Sequence, residues 1–385
     1  MNELHIDKTH WKKYRFDEMV QNVSERVEPS QTDLDMYVGL EHIDPDTLHL
    51  SRHGHPSDVE GTKLRFYKGD IIFGRRRAYQ RKTALATTDG ICSAHAMVVR
   101  AKEDVVDPMF LPFLFHSKNF IDMAITISVG GLSPTINWKD IAKQEFLLPP
   151  KAEQKRLAEL LWAADEVVEK EKREMEKMEE YKNMLITSTI LNGPKSIALN
   201  ELGKVIRGVS YKPEQVITKN DSNAFMLLRS NNISPNFKTN YIEVYYIDNS
   251  VLKSEQELRL GDIIICMSNG SKELVGKASE ITEMPNVKSS VGSFCAIYRP
   301  HPDSQFVKYL FQSSEYRKQI ALLLSGSNIN NLKPSDIESI AFNVKENIDK
   351  TAMDSLKRTD DIISRLTIQI EQSQQIKQEL INIML

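Results

Sequence analysis

Pro149-Pro150-Lys151-Ala152-Glu153-Gln154-Lys155-Arg156-Leu157-Ala158 opens a long helical pattern. Proline suits a helix start, because its fixed φ fits the first turn and its missing N–H would have no partner there. From about Ala152 the apolar residues Leu157, Leu161, Ala164, Val168, Met175, Met178 and Leu185 recur mostly at three- and four-residue steps. The run stops near Leu191, before Gly193-Pro194. A second pattern of this kind starts near Asp349 and runs to the end, with the stripe Leu356, Ile363, Leu366, Ile370, Ile376, Leu380 and Ile383. Each rod is roughly 60 Å long at about 1.5 Å per residue. A charged rod with one apolar stripe needs something to pack on. The economical partner is the other rod, in an antiparallel two-stranded coiled coil. The alternative is that each helix lies on its own globular neighbour.

Outward from the first rod, the two flanking regions are one text written twice. Laying Asp140 on Asp336 aligns Ile136-Asn137-Trp138-Lys139-Asp140-Ile141 with Asn331-Leu332-Lys333-Pro334-Ser335-Asp336-Ile337. The same shift sets Phe110 on Phe306, Leu114 on Leu310, Phe115 on Phe311, Ser117 on Ser313, Phe120 on Tyr316, Gly130 on Gly326 and Asp165 on Asp361. Upstream, Lys68-Gly69-Asp70-Ile71-Ile72 matches Leu260-Gly261-Asp262-Ile263-Ile264 after a small change of loop length. Self-similarity of this kind means a repeated structural unit. Each copy begins with short apolar runs broken by Gly, Asn, Asp and Pro, at 66–73, 95–99, 224–228 and 262–267, which read as strands and turns. A helical stretch follows, 109–125 or 305–324. Then come a Gly/Ser/Asn-rich loop, a short strand at 144–148 or 339–344, and the long helix.

Composition narrows the class. The 385 residues exceed one typical core and suggest roughly two or three domains. Hydrophobic residues at 41% and charged residues at 27% fit a soluble globular protein. The net charge of −3 excludes a globally basic nucleic-acid binder, so any such surface is a local patch. Cys92, Cys266 and Cys295 are widely spaced and odd in number, against a disulfide framework or a zinc site. The polar residues 1–10 and the lack of a long apolar run leave no membrane span, and a cytoplasmic location is expected.

Two globular copies, each followed by a long helix, resemble the DNA-specificity subunits of type I restriction–modification systems. The stretch from Phe146 through Pro149-Pro150, Glu153-Gln154 and Ala158 is similar to that family's start of its central spacer. The Gly-Asp-Ile-Ile phrases at 69–72 and 261–264 resemble a strand inside each of its target-recognition domains. Residues 265–278 and 128–137 carry further likeness. The second helix start, Glu346-Asn347-Ile348-Asp349-Lys350, lacks the Pro-Pro and Glu-Gln of the first.

The resemblance implies an α+β fold with a pseudo-twofold internal repeat. Two target-recognition domains, 1–150 and 194–346, are separated by helices at 151–193 and 347–385, packed as an antiparallel coiled coil. It also implies double-stranded DNA as ligand and two adenine methyltransferase subunits as partners, with motor–nuclease subunits as further additions. S-adenosylmethionine and ATP would sit on those partners, with no cofactor or metal on this chain. On the helices, Leu157, Leu161, Met175, Leu366 and Ile370 are the candidate partner-binding positions.

Arg75-Arg76-Arg77, with Tyr79, Arg81 and Lys82 close behind, is the densest basic cluster. Arg and Lys neutralise phosphates, and Arg forks onto guanine O6 and N7; a solvated basic surface is the plainer reading. The matching loop of the second copy is polar: Ser268, Asn269, Ser271 and Lys272, then Lys277. Asn pairs with adenine N6 and N7, though an ordinary hairpin turn uses the same residues. Thr135, Asn137 and Lys139, and Asn328, Asn330, Asn331 and Lys333, offer donors from the loops before each Asp–Ile phrase. Turn chemistry explains them equally well.

Other chemistry is not supported. Five residues separate Gly270 from Gly276, and Ala278 stands where a phosphate loop needs Ser or Thr. His53 and His55 flank a glycine and read as a loop. Leu148-Pro149-Pro150-Lys151 lacks the flanking residues of an adenine-methyltransferase site. This agrees with the role the resemblance implies, which is non-catalytic: each half reads one short half-site, and the helix pair fixes the spacing between them. The rivals are a structural coiled-coil adaptor with protein-binding heads, a nuclease with an unfamiliar centre, and an inactive variant of the same fold.

Overall fold

A computed structural model describes residues 6–219, 221–234, 236–325 and 330–385. The chain divides into two compact units. The first joins Met1–Glu174 to Leu366–Leu385, and the second is Met175–Arg365. Each long helix, Lys151–Thr189 and Lys350–Met384, therefore has one end in each unit.

The first unit has two four-stranded sheets. One is antiparallel throughout, in the order Val20–Val23, Met97–Ala101, Ile71–Phe73, Thr83–Leu85. The other runs Arg26–Val27, Lys63–Phe66, Gly90–Cys92, Tyr37–Val38, and its last pair is parallel. A two-stranded ribbon, Lys12–Arg15 with Glu145–Leu148, leads into the long helix. The second unit repeats the scheme. Its four-stranded sheet is Gly203–Arg207, Cys295–Pro300, Ile263–Cys266, Ala278–Glu280. Its other sheet is Tyr245–Asp248, Ala224–Leu228, Ser289–Val291, again with one parallel pair. Its ribbon is Leu191–Ala198 with Ala341–Val344.

The repeated phrases have physical causes. Gly69 and Gly261 hold φ of 91° and 83°, which favours glycine and turns the chain into the following strand. The next residue is a buried aspartate. Asp70 accepts from the Tyr67 backbone and takes a bidentate pair from Arg100, at 2.7 and 2.9 Å. Asp262 does the same with Arg259 and Arg299, at 2.8 and 2.6 Å. The Gly-Asp-Ile-Ile phrase is thus a turn, a clamp and a core strand. The paired serines also have a role. The stretches expected as single helices break at Ser117 and Ser313, each accepting from the backbone of the aromatic residue three positions on, Phe120 or Tyr316. Leu111–Leu114 and Lys118–Thr126 result in one unit, Val307–Gln312 and Ser314–Ser325 in the other. A serine N-cap restarts the helix in a new direction. That brings Phe115 and Phe120 onto Phe16 and Phe73 in the first core, and Phe311 and Tyr316 together in the second.

The Pro-Pro…Glu-Gln start is equally legible. Gln154 is buried; its amide donates to the carbonyls of Pro149 and Val105 at 2.9 and 3.1 Å, and its oxygen accepts from Asp107 N at 2.7 Å. One side chain stitches the first helical turn to the sheet domain.

Within each unit the two long helices run antiparallel. In the first, Leu157 and Leu161 share a core with Ile381, Met384 and Leu385. In the second, Ile186 shares one with Leu356, and Lys182 pairs with Asp360. The stripe departs from expectation in one place. Ile376 is 57% exposed, while the neighbouring Lys377 is buried against Asp165 at 3.1 Å. Ser373 and Gln369 meet buried Glu171, at 3.1 and 2.7 Å. Seven-residue spacing from Ile363 and Ile370 leads to Lys377, so a polar layer occupies core positions where an apolar stripe was expected.

His49 reaches this layer from the sheet domain, 2.6 Å from Asp165. Burial pushes the Asp165 carboxyl up, but the His49 hydrogen bond and the Lys377 charge outweigh it and leave it below its usual range. The hydrogen bond to Asp165 raises the His49 pKa. Its contribution to stability is therefore complete below about pH 6.5 and is lost as pH rises through the raised folded value. The melting-temperature gap between the natural protein and His49→Ala is expected to be widest below about pH 6.5 and to narrow as pH rises through the raised folded value. A gap independent of pH would refute this.

Candidate nucleic-acid interface

In each unit the loops singled out from the sequence come together. In the first, the strand end at Arg75–Arg77 is strapped to the 128–139 loop. Ile136 N donates to Arg75 O at 3.0 Å, Arg77 N to Pro134 O at 2.7 Å, and Arg76 bridges to Thr135. In the second, Leu332 N donates to Met267 O at 2.8 Å and Ser268 bridges to Asn331. One platform is thus built twice, with Arg76 and Thr135 standing where Ser268 and Asn331 stand.

The side chains on the first platform divide into two groups. Arg76 donates to Ser133 Oγ at 3.1 Å and lies 3.3 Å from His95 Nε2. Arg77 and Tyr79 are exposed, as are Asn137 and Lys139. Arg75 points inward, donating to Ala94 O at 3.2 Å with its Nε buried and unpartnered. Arg81 and Lys82 are drawn into the domain. Arg81 pairs with Asp46 and donates to His116 O and to Gln378, both at 3.1 Å, and Lys82 donates to Leu40 O. These two cations are already occupied within the unit, where the sequence suggested free donors. The neighbouring His116 is fully buried, which depresses its pKa to about 4 and keeps it neutral beside Arg81 and Lys377. Arg81→Asn keeps the left-handed backbone, φ 54°, that Asn tolerates. It is expected to cost about 1–3 kcal/mol of stability in thermal unfolding and to leave duplex affinity unchanged. The reverse pattern would return Arg81 to the interface.

The second platform is polar. Asn269 accepts from Ser271 N at 3.0 Å and donates to Ser230 at 3.4 Å. Ser271 is bonded to Glu273, and Asn330 donates to Gly270 O at 3.2 Å. Lys272 and Lys333 are exposed and Lys277 is half-buried. Asn328 lies outside the described residues. Gly276 has φ 77° and sits against Ile320 in the core, so this loop holds a packing turn where a phosphate loop would hold an open one.

Sequence reasoning missed one segment of each platform, the turns at 93–95 and 292–294. Ser93 N donates to Val38 O at 2.9 Å, and Gly292 N to Leu228 O at 2.8 Å, so the two turns occupy the same place in the repeat. The neighbouring basic and polar loops were the only signal that these positions mattered.

Two of the expected partner-binding positions also need correction. Leu157 and Leu161 are buried in the unit's own core, and Met175, Leu366 and Ile370 are half-buried. Leu160 and Val167, 47% and 49% exposed, face outward on the same helix one heptad apart. Among the described residues no group of three or more His, Cys, Asp or Glu is placed to hold a metal ion. No helix among them is long and apolar enough to cross a membrane.

Residues 10–180 match the family described as the type I restriction modification DNA specificity domain. The EcoKI specificity subunit of Escherichia coli is 38% identical over 138 residues, which is 35% of this chain and 29% of that protein. The MjaVIII specificity subunit of Methanocaldococcus jannaschii is 22% identical over 318 residues, 77% of this chain and 73% of that protein. The matched stretch spans less than a third of the EcoKI and StySPI specificity subunits. A solved structure, described as bearing on complex assembly and conformational transition of the type I R-M system, shares the fold. Its TM-score is 0.50 at 17% identity, with 96% of this chain and 94% of that chain covered. These matches bear out the resemblance drawn from the sequence and the fold it implied.

Proposed function

We propose that this chain is the DNA-specificity subunit of a type I restriction–modification enzyme. Each unit reads one short half-site of double-stranded DNA. One observation carries this reading: the same platform is assembled twice in one chain, with guanidinium groups on one copy and hydroxyls and amides on the other. A repeated frame with different side chains suits a bipartite, asymmetric target. Arg76 and Arg77 supply charge and forked donors on the first platform; Asn269, Asn330 and Lys272 supply amides and a cation on the second.

Two adenine methyltransferase subunits dock on the outward faces of the long helices, at Leu160 and Val167 in the first unit. Motor–nuclease subunits add to that core. S-adenosylmethionine and ATP belong to those partners, and this chain contributes recognition without chemistry of its own, in the cytoplasm.

The test is co-expression with the candidate methyltransferase, followed by mapping of adenine methylation across the host genome. One bipartite asymmetric motif is the expected result. A stable complex that methylates nothing and binds DNA without sequence preference would leave the protein-binding adaptor as the better account.

A further inference from the structure

In the second unit the turn ending at Phe294 lines a 680 Å³ cleft, together with Tyr211, Arg229, Ser230, Asn231 and Ser293. Phe294 is 69% exposed although its chain neighbour Cys295 is buried. Its backbone is fixed: Phe294 O accepts from Met267 N at 2.8 Å and from Ser268 N at 3.2 Å. An exposed aromatic ring is therefore held on the same strand end that opens the polar reading loop. Asn269, in that loop, donates to Ser230 on the cleft.

Arg229 is held as firmly. Its guanidinium lies 3.9 Å from the centre of the Tyr245 ring, and Nη2 donates to Glu243 O at 3.1 Å. Stacking of this kind pre-organises the planar fork. Beside it Asn231 is exposed. Among the described residues the first unit carries no such set at the equivalent place. Its equivalent turn carries His95, which lies against Arg76, and Gly39 follows Val38 where Arg229 follows Leu228. At the cleft, as on the platforms, the two copies differ in chemistry while sharing their frame. Two heads that read different half-sites must differ at their reading positions.

We propose that this cleft reads an A·T pair of the second half-site from the major groove. Phe294 packs on the thymine C5-methyl group, Asn231 pairs with adenine N6 and N7, and Arg229 holds the adjoining phosphate. Apolar side chains recognise the thymine methyl, and amides recognise adenine, because these are the groups an A·T pair presents in that groove. The proposal rests on the DNA-reading function above and assigns to it residues outside the polar loops.

The experiment uses the complete methyltransferase complex and a duplex carrying its mapped motif. Each thymine of the second half-site is replaced in turn by deoxyuridine, which lacks only the methyl group. One position is expected to lose about five- to tenfold in affinity with the natural chain and nothing further with Phe294→Ala. Phe294→Ala should also relax the methylation motif at that pair and leave the first half-site intact. Because Phe294 is exposed, the variant is expected to fold, and an unchanged melting curve checks this. Arg229→Ala should weaken all duplexes alike and lower the salt dependence. An intact bipartite motif with no deoxyuridine effect, with an equal effect in Phe294→Ala, or with no A·T pair in the second half-site overturns the cleft alone. A natural complex with no motif overturns the DNA-reading function, and the cleft falls with it.

Discussion

A complex carrying Arg76→Ala and Arg77→Asn is expected to bind its target duplex about a hundredfold more weakly than the natural complex, on the basis of about 1–3 kcal/mol per forked contact. Arg77 is exposed and left-handed, φ 57°, so Asn replaces it without backbone strain. Arg76 is anchored to Ser133, which holds its guanidinium at the platform surface. The two residues need not act alike. A lost phosphate contact weakens all sequences together and lowers the salt slope by about 0.9. A lost base contact relaxes the motif at one position of the first half-site. Binding titrations at several salt concentrations, joined to methylation mapping of each single variant, separate the two roles. Unchanged affinity in the double variant, with the complex intact, would remove the basic cluster from the interface.

The architecture was legible because it rests on periodicity and repetition. Forty-residue-scale stripes, Pro-Pro before one helix and Gly193-Pro194 after it each act locally, so they can be read without knowing the tertiary fold. Other features were visible as matches but not as causes. The aligned serines, Ser117 and Ser313, are N-caps that split the helices, and Asp70 and Asp262 are clamps for arginines on a distant strand. Such partners lie far away in sequence, and only folding brings them together.

The candidate interface was half legible. Cationic and amide-rich loops stand out by composition, but composition does not say which cations are already bound. Arg81 and Lys82 look like Arg76 and Arg77 in the sequence, yet Asp46, His116, Gln378 and Leu40 occupy them. In the same way apolar character favoured Ile376 for the core, whereas the seven-residue spacing from Ile363 and Ile370 put Lys377 there, paired with buried Asp165. Phe294 was missed for the opposite reason. An aromatic residue before Cys295 reads as part of a core strand, and only the turn after Gly292 leaves its ring outside.

The clamp in the second unit carries the other large effect. Asp262 is buried, and Arg299 reaches it with two charge-assisted hydrogen bonds while its side chain is only 11% exposed. Asp262→Ala removes the carboxylate, the acceptor for Arg259 N, and the counter-charge of Arg299. An enclosed guanidinium left with the Glu255 and Glu257 carbonyls but without its counter-charge costs about 3–5 kcal/mol. Hydrogen exchange of the strands Ile263–Cys266 and Cys295–Pro300 is the suitable readout, since it reports this unit rather than the whole chain. Their protection is expected to collapse in Asp262→Ala, while protection of Ile71–Phe73 in the first unit stays unchanged. The equivalent Asp70→Ala should cost less, because the Arg100 side chain is 42% exposed and rehydrates. The double variant Asp262→Ala/Arg299→Met should recover much of the loss, since an apolar pair leaves no buried charge behind. If instead the double variant were as unstable as Asp262→Ala alone, the ion pair would not be the main term, and the loss would lie in the turn cap at Arg259 and in the Glu255 and Glu257 carbonyls that Arg299 also bonds.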